Sequence, residues 1–260
     1  MKLAMVSAHT LDFFHFFKIQ YAMMKMYDPD IKIILAKSNT PEQFASDVNW
    51  VDIDFPDYIH ESHRNYTLKF NVIRSYLAQT ADADRVAWVD ADIIPLVPNA
   101  ITEFMTVSKK PTVAVNVTMG DHMYKGWDDI CNWYGVGKLP CYNCGLVTAD
   151  KDDSFWKDWA EAKKMLYLTK LDSFLNNKDT HYHYGIPVKM FFIDQIALNL
   201  VISRDPNRFH YVDPSYNWQP LDPNGNIWTD SIRMPLNTKI LHLSGPSKKA
   251  LLVDMETVNV

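Results

Sequence analysis

The chain has 260 residues, of which 47% are hydrophobic and 22% are charged. This balance is that of a globular protein with a substantial core, and it excludes an intrinsically disordered chain. The net charge of −5, from 26 basic and 31 acidic residues, lacks the basic excess of proteins that bind nucleic acid by electrostatics.

The first residues and the cysteines bear on the compartment. After Lys2, four titratable side chains interrupt the apolar residues of the first twenty positions: His9, Asp12, His15 and Lys18. This pattern is no signal-peptide core, and no run of 18 apolar residues occurs elsewhere. Three cysteines occur, which fits a reducing environment: Cys131, Cys141 and Cys144. We therefore expect a cytoplasmic protein with no integral membrane segment.

Cys141 and Cys144 have the spacing of half a zinc site. A structural zinc site needs four ligands, and the sequence has no second Cys-x-x-Cys pair. Completion of the set by Cys131 and a histidine is the weaker alternative. We expect ordinary buried thiols.

Short apolar runs alternate with longer helical patterns, which predicts an α/β fold with a mainly parallel central sheet flanked by helices. The predicted strands are Lys2–Ser7, Ile31–Leu35, Val51–Phe55, Arg85–Val89, Thr112–Val117, Gly145–Ala149 and Lys239–Leu243. The predicted helices are Leu11–Met26, Asn65–Ala81, Phe155–Leu168 and Phe191–Ile202. Thr118–Cys141 and Asp172–Tyr184 are predicted as variable loops, and the irregular stretch Tyr211–Asn237 is predicted to line a site. Since no linker or repeat interrupts the chain, we expect one domain over residues 1–260.

The strongest local signal is a buried strand that runs into two carboxylates. Residues 86–89 are apolar, which is typical of a central strand covered on both faces, and Asp90 and Asp92 follow them. Ligands of open α/β sheets bind at the carboxyl ends of strands, where two such carboxylates can share one Mg²⁺ or Mn²⁺ ion. The alternative is a solvated turn that ends the strand. The nucleophile loop of a haloacid-dehalogenase-like phosphatase is rejected, because that loop lies near the N-terminus and continues into Gly-Thr.

A second signal stands near the C-terminus, where His242, Gly245 and Lys248 lie close together. The imidazole would be a further ligand for an ion held by carboxylates, the glycine lets backbone N–H groups approach phosphate oxygens, and the lysine adds positive charge. A lone histidine of this kind is more often an interior residue. Together with Asp90 and Asp92, it predicts one ion held from two distant parts of the chain.

An ordered set of motifs resembles a known family. The sequence is similar to the GT-A glycosyltransferases, most closely to the family 8 group of glycogenin-like and galactosyltransferase-like enzymes. The motifs stand in family order: Asp90-Ala91-Asp92, Asn143-Cys144-Gly145, Asp194-Gln195 with Leu198-Asn199, Tyr216-Asn217-Trp218, and His242-x-x-Gly245-x-x-Lys248. Lys69 resembles the basic residue that this family carries before the Asp-x-Asp strand. Ala8, His9 and Thr10 replace the small and polar residues that are usual after the first strand.

The resemblance implies a nucleotide diphosphate sugar as donor, commonly a UDP-sugar, with Mn²⁺ or Mg²⁺ bridging its phosphates and with retention at the anomeric carbon. Asp90, Asp92 and His242 would hold the ion, whereas Asp194 and Gln195 would be the catalytic residues beside the donor sugar. The other positions expected to contact the donor are Ala8, Thr10, Lys69, Ala91, Asn143, Gly145, Gly245 and Lys248.

Each of these residues also has a structural explanation. Asp194 and Gln195 would make a polar start to a helix, where the helix dipole favours a carboxylate. Asn143 and Gly145 would form a turn before a strand. Lys69 would be a solvated helix lysine. The ordered set, rather than any single member, favours the functional interpretation.

The acceptor is the least determined part of the function. The resemblance implies a hydroxyl acceptor: a glycan, which we favour, a protein hydroxyl or a hydroxylated DNA base. Two alternatives to an active glycosyltransferase remain. A nucleotidyltransferase on a similar sheet would also use carboxylates and Mg²⁺, but it would carry a Gly-rich basic loop after the first strand, which this sequence lacks. The other alternative is a protein that binds sugar nucleotides without turnover.

Overall fold

The computed structural model of the protein describes residues 1–9, 14–36, 46–79, 82–115, 127–176, 182–183, 186–219 and 234–243. In this part of the chain the strands are β1 (Leu3–Ser7), β2 (Lys32–Ala36), β3 (Asn49–Val51), β4 (Arg85–Val89), β5 (Ile93–Pro95), β6 (Thr112–Ala114), β7 (Leu146–Asp150), β8 (Tyr182–His183), β9 (Ile186–Pro187), β10 (His210–Val212) and β11 (Ile240–His242). The α-helices are α1 (Phe14–Tyr27), α2 (Leu68–Gln79), α3 (Ala100–Thr106), α4 (Trp127–Tyr134), α5 (Ser154–Leu175), α6 (Val188–Phe191) and α7 (Ile193–Arg204). Short 3₁₀ helices occupy Glu61–Thr67, Pro206–Arg208 and Pro214–Tyr216.

Seven of these strands form one sheet in the order β10-β6-β7-β4-β1-β2-β3. β1 is parallel to β2 and β4, β2 is parallel to β3, and β10 is parallel to β6. Only β7, among the strands of this sheet, is antiparallel to both of its neighbours. Parallel strands need crossover connections. α1 lies between the neighbours β1 and β2, and α2 lies on the connection from the edge strand β3 to β4 on the other side of β1. The predicted α/β class with a mainly parallel central sheet is confirmed.

Each face of the sheet has its own apolar layer, because successive strand residues point to opposite sides. In β4, Val86 and Trp88 pack in the layer that includes residues of α2, α5 and α7. Ala87 and Val89 pack in the other layer, with residues of α1 and α3. Both faces are therefore covered, which explains why β4 is apolar throughout its last four residues.

The third predicted strand, Val51–Phe55, is wrong in its position, because the strand is Asn49–Val51. After Val51 the backbone bonds to side chains of α2 instead of a neighbouring strand. The Gln79 amide donates to the main-chain oxygen of Asp52 at 2.9 Å, and the Asp54 N–H donates to the Ser75 hydroxyl at 3.0 Å. Polar residues of a helix thus satisfy the groups that a ladder would have used.

Two predicted helices have different limits. The helix predicted over Phe155–Leu168 continues to Leu175, because Phe174 is still buried in the core and no Gly or Pro interrupts the pattern. The helix predicted over Phe191–Ile202 is divided into α6 and α7 at Phe192, whose backbone (φ −94°, ψ 0°) leaves the helical range.

Several short elements were not predicted. α4 lies inside the segment interpreted as a variable loop, and β10 lies at the start of the segment interpreted as irregular. β5 was also missed, and it forms a separate two-stranded antiparallel sheet with β11. None of the helices in the described ranges combines the length and the apolar character that crossing a bilayer requires.

Candidate active site

Two carboxylates stand where β4 ends, as the sequence predicts. Asp90 follows the last strand residue, and its N–H donates to the main-chain oxygen of Gly145 at 2.8 Å. The Gln20 amide, fully buried on α1, donates to the main-chain oxygens of Asp90 at 2.6 Å and Ile93 at 2.8 Å. These bonds close the turn between β4 and β5. Asp92 lies in this turn at the carboxyl edge of the sheet and is buried, with 5% of its surface exposed.

The pairing of β11 with β5 brings His242 to this turn. In that ladder His242 is opposite Ile93, the residue that directly follows Asp92. The Leu243 N–H donates to the main-chain oxygen of Asp92 at 2.9 Å. Two segments about 150 residues apart in sequence are therefore joined by backbone hydrogen bonds at the point where the carboxylates emerge.

Asp90, Asp92 and His242, called the Asp–His cluster below, each offer one ligand atom, and these three atoms lie within 4.8 Å of one another. His242 Nε2 is 3.6 Å from Asp92 Oδ1, which is too long for a hydrogen bond. It suits two ligands of one ion, since atoms that each bond a metal at about 2.1 Å lie about 3–4 Å apart. Two carboxylates and one imidazole are a donor set that could hold a divalent metal ion.

The orientation of the imidazole is set by a buried amide. His242 Nδ1 lies 2.8 Å from Asn217 Oδ1, and Asn217 is only 1% exposed. An amide oxygen only accepts, so this contact favours a proton on Nδ1 and a lone pair on Nε2, the atom nearer Asp92. The Gln219 amide nitrogen, which is a donor, lies 3.1 Å from the same Nδ1 and favours the other tautomer, but the Asn217 contact is the shorter of the two. The ligand nitrogen is thus presented to the two carboxylates.

Gly145 is the residue whose small size this site requires. A Cβ atom at position 145 would lie 2.8 Å from Asn143 Oδ1, 2.8 Å from His242 Cε1 and 2.9 Å from Asp90 Oδ2. Real side chains do not tolerate such contacts, so any larger residue would push these groups apart. The Asn143 carboxamide also accepts the Gly145 N–H at 2.7 Å, which holds the backbone in this close approach.

Lys69 and Trp88 contact Asp90 from the α2 side of the sheet. Lys69 Nζ is 3.0 Å from Asp90 Oδ1 and donates to the main-chain oxygen of Cys144 at 3.1 Å. Burial disfavours the charged form of Lys69, but attraction to Asp90 and, further along, to Asp194 outweighs it, so the pKa of Lys69 lies above its ordinary value. The Trp88 indole N–H donates to Asp90 Oδ1 at 2.5 Å. A cation and a neutral donor thus hold the same carboxylate.

The second predicted pair, Asp194 and Gln195, lies on the first turn of α7 and is called the α7 turn below. Asp194 Oδ1 is 2.9 Å from Lys163 Nζ, and the main-chain oxygen of Asp194 accepts the Trp159 indole N–H at 3.1 Å. Gln195 is 5% exposed, and its amide contacts Cys141 Sγ at 3.3 Å. The α7 turn and the Asp–His cluster are joined through residues 141–144, because Gln195 contacts Cys141 and Lys69, which pairs with Asp90, donates to the main-chain oxygen of Cys144.

The remaining predicted residues are distributed as follows. Ala8 is half-buried just beyond β1, at the carboxyl edge of the sheet. Ala91 is 6% exposed in the turn between the two carboxylates. Thr10, Gly245 and Lys248 lie outside the described residues. The three cysteines form no disulfide among the described residues, and the metal cluster found there does not include them. Burial raises the pKa of Cys144 to about 12, so it stays a thiol at neutral pH.

Three residues that hold the site were not predicted: Gln20, Trp88 and Lys163. A signal existed for two of them. Gln20 interrupts the apolar face of α1, between Phe16 and Met24, and Lys163 interrupts the buried face of α5. A polar residue on a buried face needs a polar partner, and here the partners are the groups of the site. Trp88 gives no such signal, because an apolar strand residue is explained by packing alone.

The fold is that of a solved glycosyltransferase. The chain is similar to galactosyltransferase LgtC in complex with donor and acceptor sugar analogs, with a TM-score of 0.57 and 12% identity, over 99% of this chain and 96% of that one. An active-site mutant of LgtC gives a TM-score of 0.53 and 10% identity, over 97% and 95% of the two chains. The predicted resemblance to the GT-A fold of the family 8 type is confirmed at the level of the fold. No protein-family model matches the sequence, and no curated protein matches it significantly.

Proposed function

We propose that the protein is a metal-dependent glycosyltransferase that moves a sugar from a UDP-sugar to the hydroxyl of a glycan acceptor, with retention at the anomeric carbon. The bond between the anomeric carbon and the diphosphate breaks, a bond to the acceptor oxygen forms, and UDP and the hydroxyl proton are released. The acceptor class is inferred from LgtC, whose structure holds donor and acceptor sugar analogs.

The Asp–His cluster is the observation that carries this proposal. It lies at the carboxyl ends of the strands, which is where open α/β sheets bind their ligands, and it presents two carboxylates and the Nε2 lone pair of one imidazole. A GT-A fold with an oxygen-rich cation site at that edge fits a diphosphate ligand better than any other common group, because Mn²⁺ and Mg²⁺ bind readily to phosphate oxygens.

Some residues of the chain would hold the metal ion, and another would stabilise the negative charge of the diphosphate. Asp90, Asp92 and His242 would hold the ion, which when bound neutralises charge on the diphosphate. Lys69, charged at neutral pH because of its carboxylate neighbours, would add a further cation beside the leaving diphosphate. Charge develops there in the transition state, so a fixed cation lowers the barrier without reorganisation.

The α7 turn would act at the sugar. Asp194 would accept hydrogen bonds from donor-sugar hydroxyls, and Gln195 would lie near the anomeric carbon. Neither acts as a glycosidase-type acid or base, because retention through an oxocarbenium-like species on one face requires no flanking pair of carboxylates. Asp194 is 14% exposed in its side chain, so its carboxylate is largely shielded from water in the absence of donor.

A donor screen tests the proposal. The protein is incubated with Mn²⁺ and, in turn, UDP-glucose, UDP-galactose, UDP-N-acetylglucosamine and GDP-mannose, and release of the nucleoside diphosphate by slow hydrolysis is measured with and without EDTA. We expect release from one UDP-sugar that EDTA abolishes. Absence of release from every donor, with no thermal stabilisation by UDP and Mn²⁺, would overturn the proposal.

The same assay separates the alternatives. Release of pyrophosphate from a nucleoside triphosphate and a sugar 1-phosphate would identify a nucleotidyltransferase. Binding of UDP-sugar with Mn²⁺, without turnover on any member of a glycan panel, would identify a binding protein. The anomeric configuration of the product, measured by proton NMR, decides between retention and inversion.

A further inference from the structure

A lysine lies in the middle of the buried face of α5. Lys163 is 4% exposed, whereas the lysine that follows it, Lys164, lies at the half-buried edge of the helix with its ammonium 5.4 Å from the Tyr58 ring. Burying an ammonium group is costly unless it is paired, so a lysine at such a position requires a specific partner.

The partner is Asp194. Lys163 Nζ is 2.9 Å from Asp194 Oδ1 and lies 4.0 Å from the centroid of the Phe70 ring, which favours a cation over its face. Burial lowers the pKa of Lys163, and the Asp194 carboxylate opposes that effect by favouring the charged ammonium.

A second side chain of α5 holds the same residue. The Trp159 indole donates to the main-chain oxygen of Asp194, and Trp159 is one helical turn before Lys163, on the same face. The Phe70 ring packs edge-on against Trp159 with centroids 4.7 Å apart. Trp159 and Lys163 of α5 thus contact both the backbone and the carboxylate of Asp194. Both side chains pack against Phe70, which is adjacent to Lys69 in sequence.

We infer that Lys163 is a positioning residue, which fixes the Asp194 carboxylate at the donor-sugar end of the site and thereby sets how well the sugar of the donor is bound. This inference rests on the proposed function. It assigns Lys163 to the sugar and not to the nucleotide, because within the described residues its ammonium contacts Asp194 of the α7 turn and the Phe70 ring, and not the three residues of the Asp–His cluster.

The experiment compares UDP with a UDP-sugar on the whole chain. Affinity for UDP and for the UDP-hexose that the wild-type protein hydrolyses is measured by calorimetry with Mn²⁺, and kcat/KM for that UDP-hexose is measured by release of UDP. The variants are Lys163→Met, Asp194→Asn, the double variant and the control Lys164→Met. For Lys163→Met we expect UDP affinity within about twofold of wild type and a loss of about 100-fold in kcat/KM for the UDP-hexose, the size of effect typical of a misplaced positioning group. Lys164→Met should match wild type in both.

The double variant separates positioning from folding. It removes both charges of the pair, so it leaves no uncompensated buried charge, and we expect it to be more stable than Lys163→Met alone. It should nevertheless show the same sugar-specific loss as either single variant, because Lys163 and Asp194 act as one unit. If Lys163→Met does not fold, the comparison of Asp194→Asn with the double variant carries the test, because a residue that acts through Asp194 adds no further sugar-specific loss once the carboxylate is gone.

The possible outcomes separate failure of the role of Lys163 from failure of the proposed glycosyltransferase function. Wild-type kcat/KM in a folded variant that lacks Lys163 would overturn the inference and leave the proposed function intact. Equal losses of UDP and UDP-hexose affinity would also overturn it, because they would show a general structural defect. Absence of UDP binding by the wild-type protein would overturn both.

Discussion

The two ends of the candidate site are built in different ways. In the Asp–His cluster the ligands are placed by the main chain, since backbone hydrogen bonds join Asp92 to Leu243 and His242 to Trp218. In the α7 turn the key group is placed by side chains, since Lys163 and Trp159 of α5 hold Asp194. The first end depends on strand pairing and the second depends on a buried ion pair.

This difference has an energetic consequence. A side chain placed by its backbone can be removed with little effect on the fold, because the ladder that carries it persists. A side chain that pairs with a buried lysine cannot, because its loss leaves an uncompensated charge that costs about 3–5 kcal/mol. Substitution of Asp92 should therefore change binding with little change in stability, whereas substitutions in the α7 turn should change both. Substitution of Asp90 should also change both, because Asp90 pairs with the largely buried Lys69.

Asp92→Ala gives the largest expected effect on binding. It removes one ligand of the ion, and we expect Mn²⁺-dependent UDP binding to be abolished, with the rise in melting temperature caused by UDP and Mn²⁺ lost as well. The melting temperature without ligands should stay within a few degrees of wild type, because the bond between the Asp92 main-chain oxygen and Leu243 remains. Differential scanning fluorimetry measures both quantities.

The control for Asp92 is Asp82→Ala. Asp82 is an exposed acid just before β4, at the opposite edge of the sheet, and pairs with Lys32. Its removal should leave the effect of UDP and Mn²⁺ unchanged. A wild-type response from the Asp92 variant would show that Asp92 is not a ligand of the ion. A large loss of ligand-free stability would show that Asp92, like Asp194, also stabilises the fold.

Gly145→Ala tests the same end by crowding it. The new Cβ would force His242 and Asp90 apart, so we expect a loss of about 100-fold in activity through displacement of the ligands. Gly137→Ala is the matched control, because Gly137 has φ +71° and open space around it. That variant should lose about 1 kcal/mol of stability and keep its Mn²⁺ affinity. Equal effects on Mn²⁺ affinity from the two variants would contradict the role of Gly145.

Much of the fold could be predicted from the sequence because its central strands carry strong local signals. β4 is apolar on both faces, and its limits Arg85–Val89 match the structure. β5 could not be predicted, because its three residues acquire a partner only from β11, far along the chain. The end of β3 at Val51 could not be predicted either. The local sequence pattern favours a longer strand, but side chains of α2 form the hydrogen bonds that a neighbouring strand would have formed.

The candidate site likewise contains residues that could be predicted from the sequence and residues that could not. Asp90, Asp92 and His242 could be predicted because their residue types carry the chemistry of metal binding, and the structure brings them together. The residues that hold them could not be predicted with equal ease, since Trp88 has an ordinary explanation in packing and Gln20 indicates a buried polar partner without identifying it. What they do depends on which group lies beside them, and that is a property of the tertiary structure.

Asn217→Ala tests how the imidazole of the Asp–His cluster is oriented, because the Asn217 side chain makes the shortest contact with His242 Nδ1. Loss of the acceptor for Nδ1–H frees the imidazole to rotate and to change tautomer, and we expect Mn²⁺ affinity to fall by about 10–100-fold. Asn217→Asp keeps an acceptor oxygen at the same place and should retain the affinity. Calorimetric titration with Mn²⁺ measures both, and equal losses in the two variants would show that the hydrogen bond to Nδ1 is not the cause.

Trp88→Phe gives the smallest expected effect. It removes one N–H donor to Asp90 Oδ1 while Lys69 remains 3.0 Å from the same oxygen, so we expect Mn²⁺ affinity to change by about fivefold, or about 1 kcal/mol. Trp156→Phe is the matched control, because its indole donates at 3.0 Å to the main-chain oxygen of Asp150, at the other end of β7.

Both tryptophans lose a buried donor and some ring volume, so the two variants should lose similar stability. Only the Trp88 variant should change Mn²⁺ affinity, because only its indole contacts a residue of the Asp–His cluster. A change in affinity in both variants would mean that packing of the sheet, and not the hydrogen bond to Asp90, controls the cluster. The first end of the site would then depend on side-chain packing as the α7 turn does.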